Sequence, residues 1–479
     1  MPLRNFAAND QNEARVTLRI LATSDLHAHL MAYDYFADRP SNLVGLSRIA
    51  TLIRIARAEA GNTVLFDNGD FLQGSLLADF IADASQSDPP ELHPMIAAMN
   101  ELDYDAVALG NHEFNYGLDF LERAISSANF PVICANVARE QGSAPTDDKT
   151  LVSPYSLLTR QIVDQNGAAH QLKIGVIAAL PPQTVIWDKS KLLGRIQTRS
   201  IPETFRAYVP VLHAQGADII VALSHSGIGH ADQSSETEQA SLRVAGIEGI
   251  DVVICGHTHR VFPGPGHIVQ AGVDATQGTL HTKPAVMPGV NGSHLGVVDL
   301  ELTHSNDRWQ ISAHSVEARP IAARDADGRP RALGADDPDV VAAAKTAHHA
   351  TLAYIRQPAG QTSDPIQSYF AQMRNDRSLQ IVNAAQTWFV REHIAGSDLA
   401  NLPLLSAASP AKTGGRGGPE NYIDIPKGHL ARRDISNLYP FQNRLTCLRV
   451  SGATLHGWLE RSAALFRQLT LGQQDQTLL

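Results

Sequence analysis

Cysteine is scarce: the 479 residues hold three, Cys134, Cys255 and Cys447. They lie far apart, each in an apolar run. That excludes a thiolate zinc site, says little about redox compartment, and reads as buried thiols without special chemistry. Long apolar runs are missing too. None approaches the ~18 residues that span a bilayer, so no membrane contact is expected. The opening stretch, Met1 to Arg15, is polar and lacks an apolar h-region, so no export signal is visible. Positive charge is in deficit, with 39 Lys and Arg against 49 Asp and Glu and a net charge of −10. This argues against a nucleic-acid polymer as partner, since a polyanion usually wants a basic face. A small anionic substrate remains compatible if metal ions supply local positive charge. Internal repeats and low-complexity tracts are absent.

What is present is alternation. Residues 18–23, 63–66, 106–109, 131–135, 172–177, 218–223 and 251–255 are predominantly apolar and read as buried strands. Helical spacing appears between them, over 48–60 and 118–127, for example, and residues 296–302 suggest an outer strand. The pattern predicts an α/β layered fold with the sheet covered on both faces. Composition shifts to Arg, Asp, Pro and Gly over 317–335, a linker signature. Asp337-Pro338 then opens a helix to about residue 356, as a solvated spacer or a bridge between domains. A second domain is expected from 357, with helices at 364–373, 379–393 and 453–466, strands at 402–406 and 445–450, and a Gly-rich loop at 413–418. The expected domains are therefore 16–316, 317–356 as linker and bridging helix, and 357–479. The last has few strands and looks incomplete.

The chemistry gathers at strand ends. Asp25 and His27 follow the first strand, Asp70 the second, Asn111 and His112 the third. His225 follows a later one, and His257 and His259 the last. Loops at the carboxyl ends of strands collect at one edge of such a fold. Carboxylate, imidazole and amide donors without thiolates suit a two-metal hydrolytic site in which a shared carboxylate bridges the ions. The D-x-H and H-x-H spacings would aim both members at one cluster if the segments were extended, because residues i and i+2 share a side. Taken singly, Asp25, Asp70 or His225 reads more blandly, as a turn or core residue. Five such placements in one domain are improbable by chance. Mixed N and O donors suit Zn, Mn, Co or Fe, and the sequence does not choose among them.

With these residues collected, the chain resembles the calcineurin-like metallophosphoesterases. The carriers are Asp25-Leu26-His27, Gly69-Asp70, Gly110-Asn111-His112-Glu113, His225 and Gly256-His257-Thr258-His259. Over nearly its whole length it resembles the 5′-nucleotidase family. The stretch from Gly110 to Gly117 and the one from Gly414 to Pro419 point to the branch of bifunctional 2′,3′-cyclic-nucleotide 2′-phosphodiesterase/3′-nucleotidases. The resemblance implies a four-layer αββα metallophosphatase domain, a linker helix and a truncated α/β C-terminal substrate domain. It implies two divalent ions, one on Asp25, His27, Asp70 and His259, the other on Asp70, Asn111, His225 and His257, with Asp70 as bridge. His112 would face the phosphate. Many 5′-nucleotidases have an Asp at the place of Asn115 that orients this histidine. Asn115 cannot supply that charge, and the cyclic-phosphodiesterase branch has Asn here. In the C-terminal domain Phe441, with Tyr439 as alternative, matches one aromatic of a base clamp whose second member is missing. Arg416 matches a substrate-contacting loop loosely. The implied activity is hydrolysis of a nucleotide by a monomer. The implied location is periplasmic, or cytoplasmic if the chain truly starts at Met1. A 5′-nucleotidase, a nucleotide-sugar hydrolase and a catalytically impaired metal-binding protein are the competing readings.

Overall fold

A computed structural model describes residues 14–84, 92–230, 238–267, 269–305, 308–415, 418, 420–441, 443–473 and 476. They fall into two compact units, Met1–Gln357 and Pro358–Leu479.

The first unit is built on two sheets. One runs, edge to edge, Arg308–Pro320, His294–Ser305, Arg15–Thr23, Thr63–Asp67, Ala106–Ala108, Val132–Ile133. From Arg15–Thr23 onward its strands are parallel. The other is centred on the parallel strands Ala169–Ala179, Ile219–Ser224, Val252–Cys255 and Lys283–Pro288. Apolar residues of both sheets, among them Ile20, Phe66, Ala108, Ile174, Val221 and Ile254, form one shared core. The opposite face of the first sheet is covered by the helices Leu46–Ala58, Leu76–Ala84, Pro94–Asn100 and Leu118–Ile125. That of the second is covered by Ile201–Ala214 and Ser241–Ala245. The four αββα layers follow directly from strands that are apolar on both faces: each needs cover on two sides.

Several expectations are corrected. Residues 296–302 are not an outer strand; His294–Ser305 lies between Arg15–Thr23 and Arg308–Pro320, and it is the latter that forms the edge. The linker-like composition also covers structured chain, since Arg308–Pro320 continues past 317 and a small hairpin, Ala322–Arg324 with Pro330–Ala332, follows. The helix Pro338–Ile355 starts as expected, with the Asp337 carboxylate accepting from the Asp339 and Val340 amides. It buries Val340, Ala344, Thr351 and Ile355 and packs on the first three helices of the same unit.

In the second unit the sheets have two strands each, Pro358–Thr362 with Gly428–Ala431 and Ile366–Gln367 with Asp424–Ile425. No helix forms over 364–373. Pro365 disfavours helical backbone at Asp364, which lies in a bend, Ile366 pairs with Ile425, and turns follow. Helices occupy Arg377–Ile394 and Gly452–Ala463. Residues 402–406 and 445–450 are irregular, because neither segment finds a strand to pair with. Cys447 is consequently exposed, whereas Cys134 and Cys255 are buried as expected. Among the described residues no helix is long and apolar enough to cross a membrane.

Candidate metal centre

The ends of Arg15–Thr23, Thr63–Asp67, Ala106–Ala108, Ile219–Ser224 and Val252–Cys255 meet at one edge of the sandwich. Asp25, Asp70 and His225 are fully buried there, and His27 and Asn111 nearly so. Two triplets form. Donor atoms of Asp25, His27 and His259 lie within 4.8 Å of one another, as do those of Asp70, His225 and His257. Asn111 Oδ1 is 2.8 Å from His257 Nδ1.

Convergence is not achieved by extended segments, as the i, i+2 reading assumed. Asp25, His27, Asp70, His257 and His259 all have positive φ, between 48° and 67°. Left-handed backbone is unfavourable for such residues and persists only where the surroundings hold it. Here the loops zip together: the Asp25 amide donates to the Gly69 carbonyl at 2.9 Å, and that of His27 to the Asp70 carbonyl at 2.8 Å. The approach is close enough to require glycine. A Cβ on Gly256 would stand 2.9 Å from Asp25 Oδ2, and one on Gly110 2.7 Å from the Asp70 amide nitrogen.

Hydrogen bonds around the cluster fix the histidine tautomers. His225 Nδ1 lies 2.6 Å from the Asn68 carbonyl and His27 Nδ1 2.8 Å from that of Gln73. A carbonyl only accepts, so Nδ1 carries a proton in both rings and Nε2 faces inward. There His225 Nε2 comes within 2.9 Å of Asp70 Oδ2, yet neither atom has a hydrogen-bond partner. His27 Nε2 likewise meets His259 Nε2 at 3.0 Å. Carboxylate and imidazole groups turned onto one another in two triplets, all but His259 largely buried, make a donor set that fits two divalent ions.

Electrostatics agree. Burial pushes the Asp25 carboxyl up, with the neighbouring Asp70 charge adding to it while His225 opposes. Burial also holds His27 below its ordinary value and His257 down at about 3, both neutral and ready to donate. Burial works against charge at Asp70 and His225 too, but each stabilises the other's charged form and wins, so Asp70 is lowered and His225 raised. His225 thus holds a proton against Asp70, where a divalent ion would supply the positive charge, while His27 and His257 stay neutral.

His112 sits beside this cluster. Its ring is 5.0 Å from that of His27, edge to face, and its amide donates to Asp70 Oδ1 at 2.7 Å. Tyr439 and Phe441, in the second unit, are partly exposed at 39% and 58%, so Phe441 is not a core aromatic there. Arg416 lies outside the described residues.

Sequence reasoning missed the supporting groups. Glu113, fully buried, accepts from the amides of Asp70, Phe71 and Gly110 at 2.7 Å and of Leu72 at 3.0 Å. One carboxylate thus binds the loop carrying Asp70 to the loop carrying Asn111 and His112. Its adjacency to His112 was the available signal. Trp187 stacks on His257, ring centroids 5.7 Å apart and planes 14° from parallel. Nothing in its local sequence marks it.

Comparison with known proteins agrees with this geometry. Residues 18–261 match the calcineurin-like phosphoesterase family and residues 358–478 the 5′-nucleotidase C-terminal domain. The chain is 41% identical over 471 residues to the 2′,3′-cyclic-nucleotide 2′-phosphodiesterase/3′-nucleotidase of Salmonella typhimurium, covering 98% of this chain and 71% of that one. The crystal structure of the calcineurin-like phosphoesterase YfkN from Bacillus subtilis superposes with a TM-score of 0.65 at 38% identity, over 72% of this chain and all of that one. A putative 5′-nucleotidase from Staphylococcus aureus, 22% identical, shares the fold over 94% of this chain and 77% of its own, with a TM-score of 0.67.

Proposed function

The chain belongs to the calcineurin-like phosphoesterase family, and on that premise we propose that it hydrolyses 2′,3′-cyclic nucleotides to 3′-nucleotides and these to nucleosides. The observation that carries the reading is the convergence of two donor triplets, Asp25 with His27 and His259, and Asp70 with His225 and His257, at one edge of the sandwich. Asp25, His27, Asp70 and His259 would hold one divalent ion, and Asp70, Asn111, His225 and His257 the other. When bound, the pair supplies Lewis acidity and activates a water near neutral pH.

The chain's own residues do the rest. Glu113 and the zipped loops hold the donors before substrate arrives, so little reorganisation is needed during reaction. His112 presents Nε2 on the ring edge away from Asn115, beside His27. In the first hydrolysis a bond forms from the water oxygen to phosphorus and the P–O2′ bond breaks. The electron pair stays on O2′, which takes the Nε2 proton of a His112 ring protonated on both nitrogens, and the proton released by the attacking water restores that ring. The second hydrolysis breaks P–O3′ in the same way. Residues 16–316 would carry this chemistry, 317–356 would link, and 357–479 would be the substrate domain, with Phe441 or Tyr439 and Arg416 as its candidate substrate-binding residues. The enzyme would act as a monomer, in the periplasm.

The test compares 2′,3′-cyclic AMP, 3′-AMP and 5′-AMP with Mn²⁺ added to chelator-stripped protein. Metal-dependent turnover of the first two, with 5′-AMP poorest, is expected. Preference for 5′-AMP would overturn the reading in favour of a 5′-nucleotidase. Absence of metal-dependent turnover, even of an aryl phosphodiester, would leave a metal-binding protein without catalysis.

A further inference from the structure

Asn115 removes the charge that an aspartate would place against His112, but a carboxylate stands one step further out. His112 Nδ1 lies 2.6 Å from Asn115 Oδ1. The other end of that amide, Asn115 Nδ2, donates to Asp188 Oδ2 at 2.7 Å. Lys191 donates to the Asn115 backbone carbonyl. Asp188 and Lys191 come from a short segment, Thr184–Trp187 and Lys189–Leu192, whose Trp187 also covers His257.

Hydrogen-bond polarity makes this chain directional. An ionised carboxylate only accepts, so Asp188 requires the NH₂ end of the Asn115 amide. The amide oxygen must then face His112. An oxygen only accepts as well, so His112 Nδ1 must carry a proton. Nε2 is left as the atom that exchanges a proton with the reacting ester oxygen. Without Asp188 the amide could turn over, offer its NH₂ to Nδ1 and put the neutral ring in the wrong tautomer. We propose that Asp188 is a positioning residue of the reaction, setting the tautomer of His112 through Asn115. The proposal rests on the phosphoesterase reading for what His112 does. It rests on geometry alone for what Asp188 does.

Two variants and two readouts test it. In Asp188→Asn, kcat for 2′,3′-cyclic AMP is expected to fall about 10–100-fold. KM should stay within about twofold, because the change does not touch substrate binding. Bound metal, counted in both proteins, should be unchanged. The reciprocal pair Asn115→Asp with Asp188→Asn puts a carboxylate directly on Nδ1, with an amide donating to it from behind. That pair should recover most of the lost kcat. Nitrogen-15 spectra of the His112 ring in metal-free protein, at mildly alkaline pH, give the second readout. The Nδ1–H tautomer is expected in the wild type and the double variant, and a mixture in Asp188→Asn. An Asp188→Asn protein with wild-type kcat, or one that keeps a pure Nδ1–H tautomer, would overturn the proposal. So would a double variant as slow as the single one. If the wild type hydrolyses no phosphoester, the reading of function fails while the ring spectra still decide the role of Asp188.

Discussion

In the first unit the strand Ile219–Ser224 buries all six of its residues, whereas in the second the helix Gly452–Ala463 buries none of its twelve. The helix Arg377–Ile394 buries only Ser378, and Trp388 and Trp458 are 65% and 48% exposed. The second unit's own core is the small cluster of Ile366, Ile423, Ile425, Leu430 and Leu438. A strand covered on both faces cannot slip or rotate without exposing apolar surface, so the residue at its end is fixed in space. A helix with no buried face fixes nothing beyond its own backbone. Chemistry that depends on donors placed to a few tenths of an ångström belongs, on this contrast, to the first unit alone.

The largest expected effect breaks the first unit at its centre. Asp70→Ala should lower kcat for any phosphoester by at least about a thousandfold, some 4 kcal/mol of transition-state stabilisation, and should lose bound metal. Metal analysis alongside initial rates checks both. His112→Ala should cost about 3 kcal/mol of transition-state stabilisation while metal content stays at the wild-type level. Unchanged turnover of a cyclic nucleotide would remove His112 from the reaction. Glu113→Ala strands four amides that now share one carboxylate, and should lower unfolding free energy by about 2 kcal/mol in denaturant titration. Asp337→Ala removes the cap of the helix Pro338–Ile355 and should cost about 1 kcal/mol at neutral pH. Burial would raise the Asp337 carboxyl, but Arg54 outweighs it and holds the group below its ordinary value. Its contribution is therefore present above the unfolded-state value and lost as pH falls through the folded one, so the Asp337→Ala penalty should shrink in acid. At the small end, Trp458→Ala should move stability by less than about 0.5 kcal/mol despite deleting an indole. A larger loss would mean that the second unit is better packed than its exposure indicates, and would blur the contrast.

The same contrast governs what could be read from sequence. In the first unit the unbroken apolar strands announced the layered fold, and the Asp, Asn and His residues at their ends announced a site. The route of convergence was hidden, because the positive φ of Asp25, His27, His257 and His259 depends on loops from distant strands. Asp188 and Trp187 were hidden for a related reason: they reach the site from a short helical segment with no motif around it. In the second unit, periodicity gave the helices Arg377–Ile394 and Gly452–Ala463, which need only local bonds. It failed at 402–406 and 445–450, where a strand needs a neighbour that sequence spacing does not supply.

The most direct measurement is anomalous diffraction from crystals grown with Mn²⁺. Two peaks about 3.5–4 Å apart are expected, with an Asp70 oxygen between them. A single peak, or peaks away from Asp25, His27, Asp70, Asn111, His225, His257 and His259, would contradict the convergence of these side chains on a pair of ions.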